Sequence, residues 1–264
     1  MTRVSAVARL LGRERWIVSG ALALIVAGAA AYIVTGGGTG MAPRDMAAGG
    51  GAPGMDAAAT WTPGYAAAIF TMWWLMMVAM MVPSAAPTIL LYGALHRDSG
   101  SRGMLGFLAG YLVVWAGFSL AATAAQGLLA AAGLMAMMSM TVGTKYLGAA
   151  VLVAAGLYQW TPLKAACLAH CRGPIAALTT YRRTGRWAAF RMGAWHGTFC
   201  LGCCWGLMAL LFVGGVMNLW WILGVALYVA AEKLVPHGDH LARPLGAVLI
   251  AAGLALFFRA AGLV

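Results

Sequence analysis

Polar residues are scarce along this chain and fall in short clusters between long apolar blocks. A helix needs about 20 mostly apolar residues to cross ~30 Å of hydrocarbon. On that measure the blocks predict membrane-spanning helices at roughly 16–34, 65–95, 104–130, 144–160, 188–212, 218–231 and 245–261. The spans at 144–160 and 218–231 are short and are expected to extend at their ends. The expected fold class is all-α, a polytopic bundle of about seven transmembrane helices.

The basic residues give an independent handle on topology. With a cytoplasmic N-terminus, only Arg44, Lys145 and Arg259 of the 17 Lys and Arg fall outside, as the positive-inside rule requires. The C-terminus is then external. The expected layout is an N-terminal anchor helix in residues 1–36, a flexible external Gly/Met-containing loop in 37–64, and a six-helix membrane domain in 65–264. A basic start, an apolar run and the small residues Ala27 and Ala29 also fit a cleaved signal. The run is longer than most signal cores, so the anchor is preferred. Met41, Met46 and Met55 in the loop are bait for a soft metal or simple filler.

Composition narrows the class. Of 264 residues 63% are hydrophobic and only 9% charged, with a mean hydropathy of +0.86. A soluble domain carries about 25% charged residues, so a soluble enzyme is excluded, as are disordered and fibrous chains. The formal charge of +11 sits between apolar blocks, where it meets anionic lipid headgroups, and nucleic acid is not an expected partner. Five cysteines, an odd number, argue against a secreted disulfide framework. The localisation expected is a membrane that the chain crosses several times.

Candidate chemistry lies in three places. Met72, Met76 and Met80 recur every four residues, and Met77 with Met81 forms a second such pair, so each set stacks on one helical face. Stacked thioethers suit a soft monovalent ion such as Cu(I), while the plainer alternative is core filler or lipid-facing bulk. Pro83 and Pro87 are expected to break or kink this helix in its inner half.

Pro162 after Thr161 predicts a capped helix start that places Cys167 and Cys171 on one face, His170 beside them, with Gly173-Pro174 ending the helix. Further on, His196, Cys200 and Cys204 fall four apart on one stripe, with Cys203 one turn from Cys200. All the cysteines thus occupy two short windows. Metal binding, thiol redox chemistry, and packing as small hydrophobes with Gly193, Gly197, Gly202 and Gly206 are the competing explanations.

Third, Glu232-Lys233 interrupts an apolar run. Glu232 is a candidate carboxylate ligand or proton acceptor, or else an interfacial partner of Lys233 or Arg191. His237 and His240 are expected to be solvated, and Met217-Asn218 offers a thioether and an amide at the outer end.

Taken in order, Met72 to Pro87, Tyr158-Gln159-Trp160-Thr161-Pro162-Leu163-Lys164 leading to Cys167 and Cys171-Arg172-Gly173-Pro174, Cys200-Leu-Gly-Cys203-Cys204-Trp205, Gly215-Val-Met217-Asn218 and Glu232-Lys233 resemble a prokaryotic family. That family is the predicted metal-binding integral membrane proteins, and the resemblance spans about residues 65 to 240. It implies metal binding in a multi-pass protein, with the inner membrane of a prokaryote as the expected localisation. The methionine spacing is also similar to that of eukaryotic copper transporters over one short motif.

The expected function is therefore binding of a soft transition metal, foremost Cu(I), for transport across the membrane or delivery to a metalloenzyme. Cys167, Cys171, Cys200, Cys203, Cys204 and His196 are the expected core ligands, with His170 beside them. Met72, Met76, Met77, Met80 and Met81 form the entry ladder, and Glu232 balances charge. Zinc and haem are the alternative cofactors. A metallochaperone or metalloenzyme is the expected protein partner, and a homo-oligomer is compatible. No nucleotide-binding loop or phosphorylation-type aspartate motif is present, so energised pumping by this chain alone is not expected. The alternatives are a membrane thiol-disulfide oxidoreductase, or a haem- or metal-dependent oxidase subunit using His196.

Overall fold

The computed structural model describes residues 61–96, 100–136, 141–173, 187–216 and 218–263, with a few isolated positions besides. The expected first span, nearly all of the Gly/Met loop, and Met217 lie outside the described residues. Helix α1 (Pro63–Leu95) starts where Thr62 accepts from the Tyr65 amide and Pro63 occupies the first turn. Proline there removes only an amide that would have no intrahelical partner. Of the expected break or kink at Pro83 and Pro87, the break does not occur: the helix runs on through both. The segment is held from its sides, with Met80, Met81, Val82, Ser84 and Ala85 all buried. Ser84 Oγ and the Tyr111 hydroxyl both donate to the Met81 carbonyl, at 2.9 and 3.2 Å. The carbonyls that the two prolines leave without an amide are those of Ala79 and Pro83, so these bonds brace the turn rather than replace the lost ones.

Helix α2 (Gly100–Ala131) follows, then a minimal antiparallel pair, β1 (Met135–Ala136) with β2 (Thr141–Val142), Met135 opposite Val142. Helix α3 (Lys145–Tyr158) is capped by Thr144, and α4 (Pro162–Arg172) by Thr161 at one end and Gly173 at the other. Helix α5 (Ala188–Ala209) continues into a short turn, α6 (Leu211–Gly214), which Gly215 ends at φ 94°. Helix α7 (Leu219–Leu234) is capped by Asn218, and α8 (Ala242–Ala260) follows a 3₁₀ turn at Gly238–Leu241.

Four helical stretches are long and apolar enough to cross a membrane: Pro63–Leu95, Ser101–Ala131, Ala188–Gly214 and Gly238–Ala260. Of the two short spans, the one expected at 144–160 is not lengthened, whereas the one expected at 218–231 runs on to Leu234. Helix α3 has 14 residues and α7 has 16, or about 21 and 24 Å at 1.5 Å per residue. Outward-facing leucines fit a lipid surround, since Leu105, Leu120 and Leu128 of α2 are 50%, 62% and 72% exposed. These features point to an all-helical membrane protein.

Close backbone contact fixes α2 against α5. A Cβ added at Gly193 would lie 1.8 Å from the Phe107 carbonyl oxygen, and one at Gly110 would lie 2.0 Å from that of Phe190. Small residues at such crossings let helices meet along their backbones. The glycines of α5 divide between two faces. Gly193 and Gly197 meet α2, whereas Gly202 meets Cys167 and Gly206 meets Tyr158. Helix α5 is thereby clamped between α2 on one side and the α3–α4 corner on the other, with its cysteines facing inward.

Candidate metal centre

The methionine ladder is core. Met72, Met76, Met77, Met80 and Met81 are all at most 4% exposed, so none is lipid-facing bulk. At its inner end Met81 Sδ lies 3.9 Å from Cys204 Sγ of α5. The ladder and the cysteine stripe therefore meet at one point, from two helices.

Cys200, Cys203 and Cys204 are each 1% exposed. The thiols of Cys203 and Cys204 donate to the Cys200 carbonyl at 3.1 and 3.0 Å, the back-bonding open to a short donor one turn on. Cys171, on the last turn of α4, lies beside Cys200 and Cys203. Interaction with those two thiols, with burial second, holds its ionisation well above the usual thiol range. The Tyr111 hydroxyl of α2 stands 3.0 Å from Cys200 Sγ. Four elements thus surround one sulfur cluster, and every cysteine is free.

The remaining candidates occupy the margin. Cys167 sits over Gly202, where an added Cβ would come within 2.7 Å of its sulfur. Burial, reinforced by nearby Cys203, pushes its thiol up. His170 stacks on Phe199 with ring centroids 3.9 Å apart, and burial lowers its imidazole below the ordinary value. His196 is buried one turn before Cys200, its ring 6.1 Å from that of Tyr111 and 6.1 Å from that of His170.

Glu232 is committed to other partners than the sulfurs. Its carboxylate pairs with Lys164 Nζ at 2.8 and 2.9 Å and accepts from the Tyr228 hydroxyl at 2.8 Å. Lys164, only 1% exposed, also reaches the Gln159 side-chain oxygen. Neither Lys233 nor Arg191 is the partner of this carboxylate: Lys233 is the adjacent helical position and so does not face it, and Lys164 takes the place expected of Arg191. Lys233 turns instead into the cluster, its Nζ 3.0 Å from Cys200 Sγ, 3.4 Å from Ser84 Oγ and 3.9 Å from Met81 Sδ.

Among the described residues, no three side chains drawn from His, Cys, Asp and Glu stand in a ready-made metal-holding arrangement. Two thiols are turned back to a carbonyl and an ammonium lies among the sulfurs. The donor set nevertheless fits a soft monovalent ion. It combines thiols with a neutral thioether, is buried but for the half-buried Cys171, and is free of the carboxylates that a hard cation would need. Lys233, Lys164, Tyr111 and Ser84 were not among the sequence candidates. The adjacency of Glu232 and Lys233 on a helix was the one signal that their partners had to be different.

An all-helical, apolar protein with a buried cluster of cysteine and methionine sulfurs belongs with proteins that handle soft metals. Residues 70–256 match the family described as PpoB2, copper chaperone, and the chain belongs to that family. No curated protein and no solved structure matches the chain.

Proposed function

We propose that this chain binds Cu(I) within the membrane and carries it toward the cytoplasmic side, either across the bilayer or to a metalloenzyme being assembled. The observation that carries this reading is the 3.9 Å approach of Met81 Sδ to Cys204 Sγ, which brings the methionine-rich helix and the thiol cluster into contact. Cys171, Cys200, Cys203, Cys204 and Met81 form the binding nest. Cys167, His170 and His196 stand at its edge as exit ligands, and Met72, Met76, Met77 and Met80 lead in from the outer half.

Thioethers hold Cu(I) more loosely than thiolates, so the order from methionine to cysteine runs downhill. In the topology that goes with this path, the N-terminus is cytoplasmic, seven helices cross the inner membrane of a prokaryote, and residues 37–64 form an external loop. Glu232 neutralises Lys164 at the inner end and takes no part in ligation. No step requires the chain to act as an enzyme.

Copper content of the detergent-purified protein, measured by mass spectrometry beside a C200S/C203S/C204S variant, tests this function. Near-stoichiometric copper in the parent and its loss in the variant is the expected result. A parent that stays copper-free under reducing, copper-replete conditions overturns it. Cys171 facing Cys200 and Cys203 from another helix favours a second reading, as a thiol-disulfide relay. In that case Cys203→Ser alone would abolish activity and trap a mixed disulfide, whereas a metal site would lose affinity by degrees.

A further inference from the structure

The Lys233 side chain is unusual in its surroundings. It is 8% exposed, and its Nζ touches a thiol, a hydroxyl and a thioether rather than a carboxylate. The nearest carboxylate along the chain, Glu232, is committed to Lys164 and Tyr228. An ammonium taken out of water costs several kcal/mol unless an opposite charge accompanies it. The group within 3.0 Å that can carry such a charge is Cys200 Sγ. Lys233 therefore stands where a cation bound to Cys200 and Met81 would stand.

We propose that Lys233 is a built-in counter-cation, holding the sulfur nest when it is empty and exchanging one-for-one with Cu(I). This rests on the copper reading above and specifies how that site loads and unloads. The exchange conserves charge. One ammonium leaves the nest with its protons as one Cu⁺ enters, no bond to the side chain breaks, and nothing is oxidised or reduced. A divalent ion would leave one positive charge in excess in a low-dielectric interior, so the exchange favours monovalent cargo.

The geometry allows the ammonium to withdraw. Lys233 lies in the last turn of α7 (Leu219–Leu234), next to the loop at Val235–Gly238, and a four-carbon arm there reaches the aqueous edge by snorkelling. Its return competes with the bound ion and so speeds release, which suits a protein that must hand its cargo on.

The chain has three lysines, which makes the displacement directly readable. The full-length protein in detergent is treated with an amine-acylating reagent, without and with Cu(I) under anaerobic reductant, and modification is mapped by peptide mass spectrometry. Exposed Lys145 reports complete reaction and buried Lys164 reports intact folding. Lys233 is expected to be protected in the empty protein and to react about tenfold faster once copper is bound.

In parallel, Lys233→Met is expected to release Cu(I) to a chelator about tenfold more slowly than the parent. Unchanged labelling of Lys233 in protein that has taken up copper overturns the exchange and leaves the copper reading standing. An unchanged release rate in Lys233→Met likewise overturns it. Failure of the parent to take up Cu(I) removes the copper reading itself. The labelling arm uses the unmodified chain and so does not depend on the variant folding.

Discussion

Lys164 and Glu232 form a buried ion pair, with Nζ 2.8 Å from Oε1 and both side chains 1% exposed. The pair ties the start of α4 to the end of α7 beneath the sulfur cluster. Breaking one side strands a charge. Lys164→Met is expected to lower stability by about 3–5 kcal/mol, and the double variant Lys164→Met/Glu232→Met to recover most of that. Thermal unfolding in detergent distinguishes the two. Equal losses in the single and double variants would mean that the pair is not coupled.

Met72 and Met81 begin one methionine set of α1 and end the other, and Met81 is the one seen against a cysteine among the described residues. Leucine keeps the volume, so either Met→Leu change is expected to cost under about 1.5 kcal/mol of stability. Met81→Leu should weaken Cu(I) binding about tenfold in a chelator competition, and Met72→Leu should leave it within about twofold, because only one removes a donor from the nest. An equal effect at both positions would place the binding site outside the inner end of the ladder.

Gly193 and Gly110 are the points where α2 and α5 touch backbone to backbone. Either Gly→Leu change forces the helices apart, with an expected loss of about 3 kcal/mol or more and a fall in the yield of monodisperse protein. Gly224→Ala, with nothing within 4 Å of the added Cβ, is the matched control and should be silent. Gel filtration of the solubilised variants decides the matter.

His170 introduces a dependence on pH. Burial holds its folded-state ionisation below the ordinary 6.5, so between those two values the unfolded chain binds the proton and the folded chain does not. Its stabilising contribution is complete above about pH 6.5 and falls as the pH drops toward the folded value. The difference in melting temperature between the parent and His170→Gln should therefore be constant from pH 7 to 8 and change below about pH 6. The same difference at every pH would show that the ring is not buried.

The soft-donor chemistry was legible because it is local. Met72 to Met81 and His196 to Cys204 recur at helical spacing, so a common face follows from 3.6 residues per turn alone. The caps at Thr161 and Gly173, and the close packing of the α5 glycines, were legible for the same reason. That the helix continues through Pro83 and Pro87 was not, because propensity says that proline removes a donor but not whether packing around Met81, Val82 and Ala85 keeps the helix whole. The partner of Glu232 was misjudged in the same way. Lys233 is adjacent in sequence, yet it points elsewhere, and Lys164 arrives from another helix.

By itself the sequence determined the apolar helical class, the candidate spans and the identity of the soft donors, since each depends on composition or on spacing within one helix. Only the tertiary structure decided which donors meet. Met81 joins Cys204 across 123 positions, Cys171 faces Cys200 and Cys203, and Lys233 rather than a carboxylate stands among them. The reason is that helix adjacency and rotation are set by how whole faces pack, through contacts such as Gly193 on Phe107, and no periodicity within a single helix encodes its neighbour.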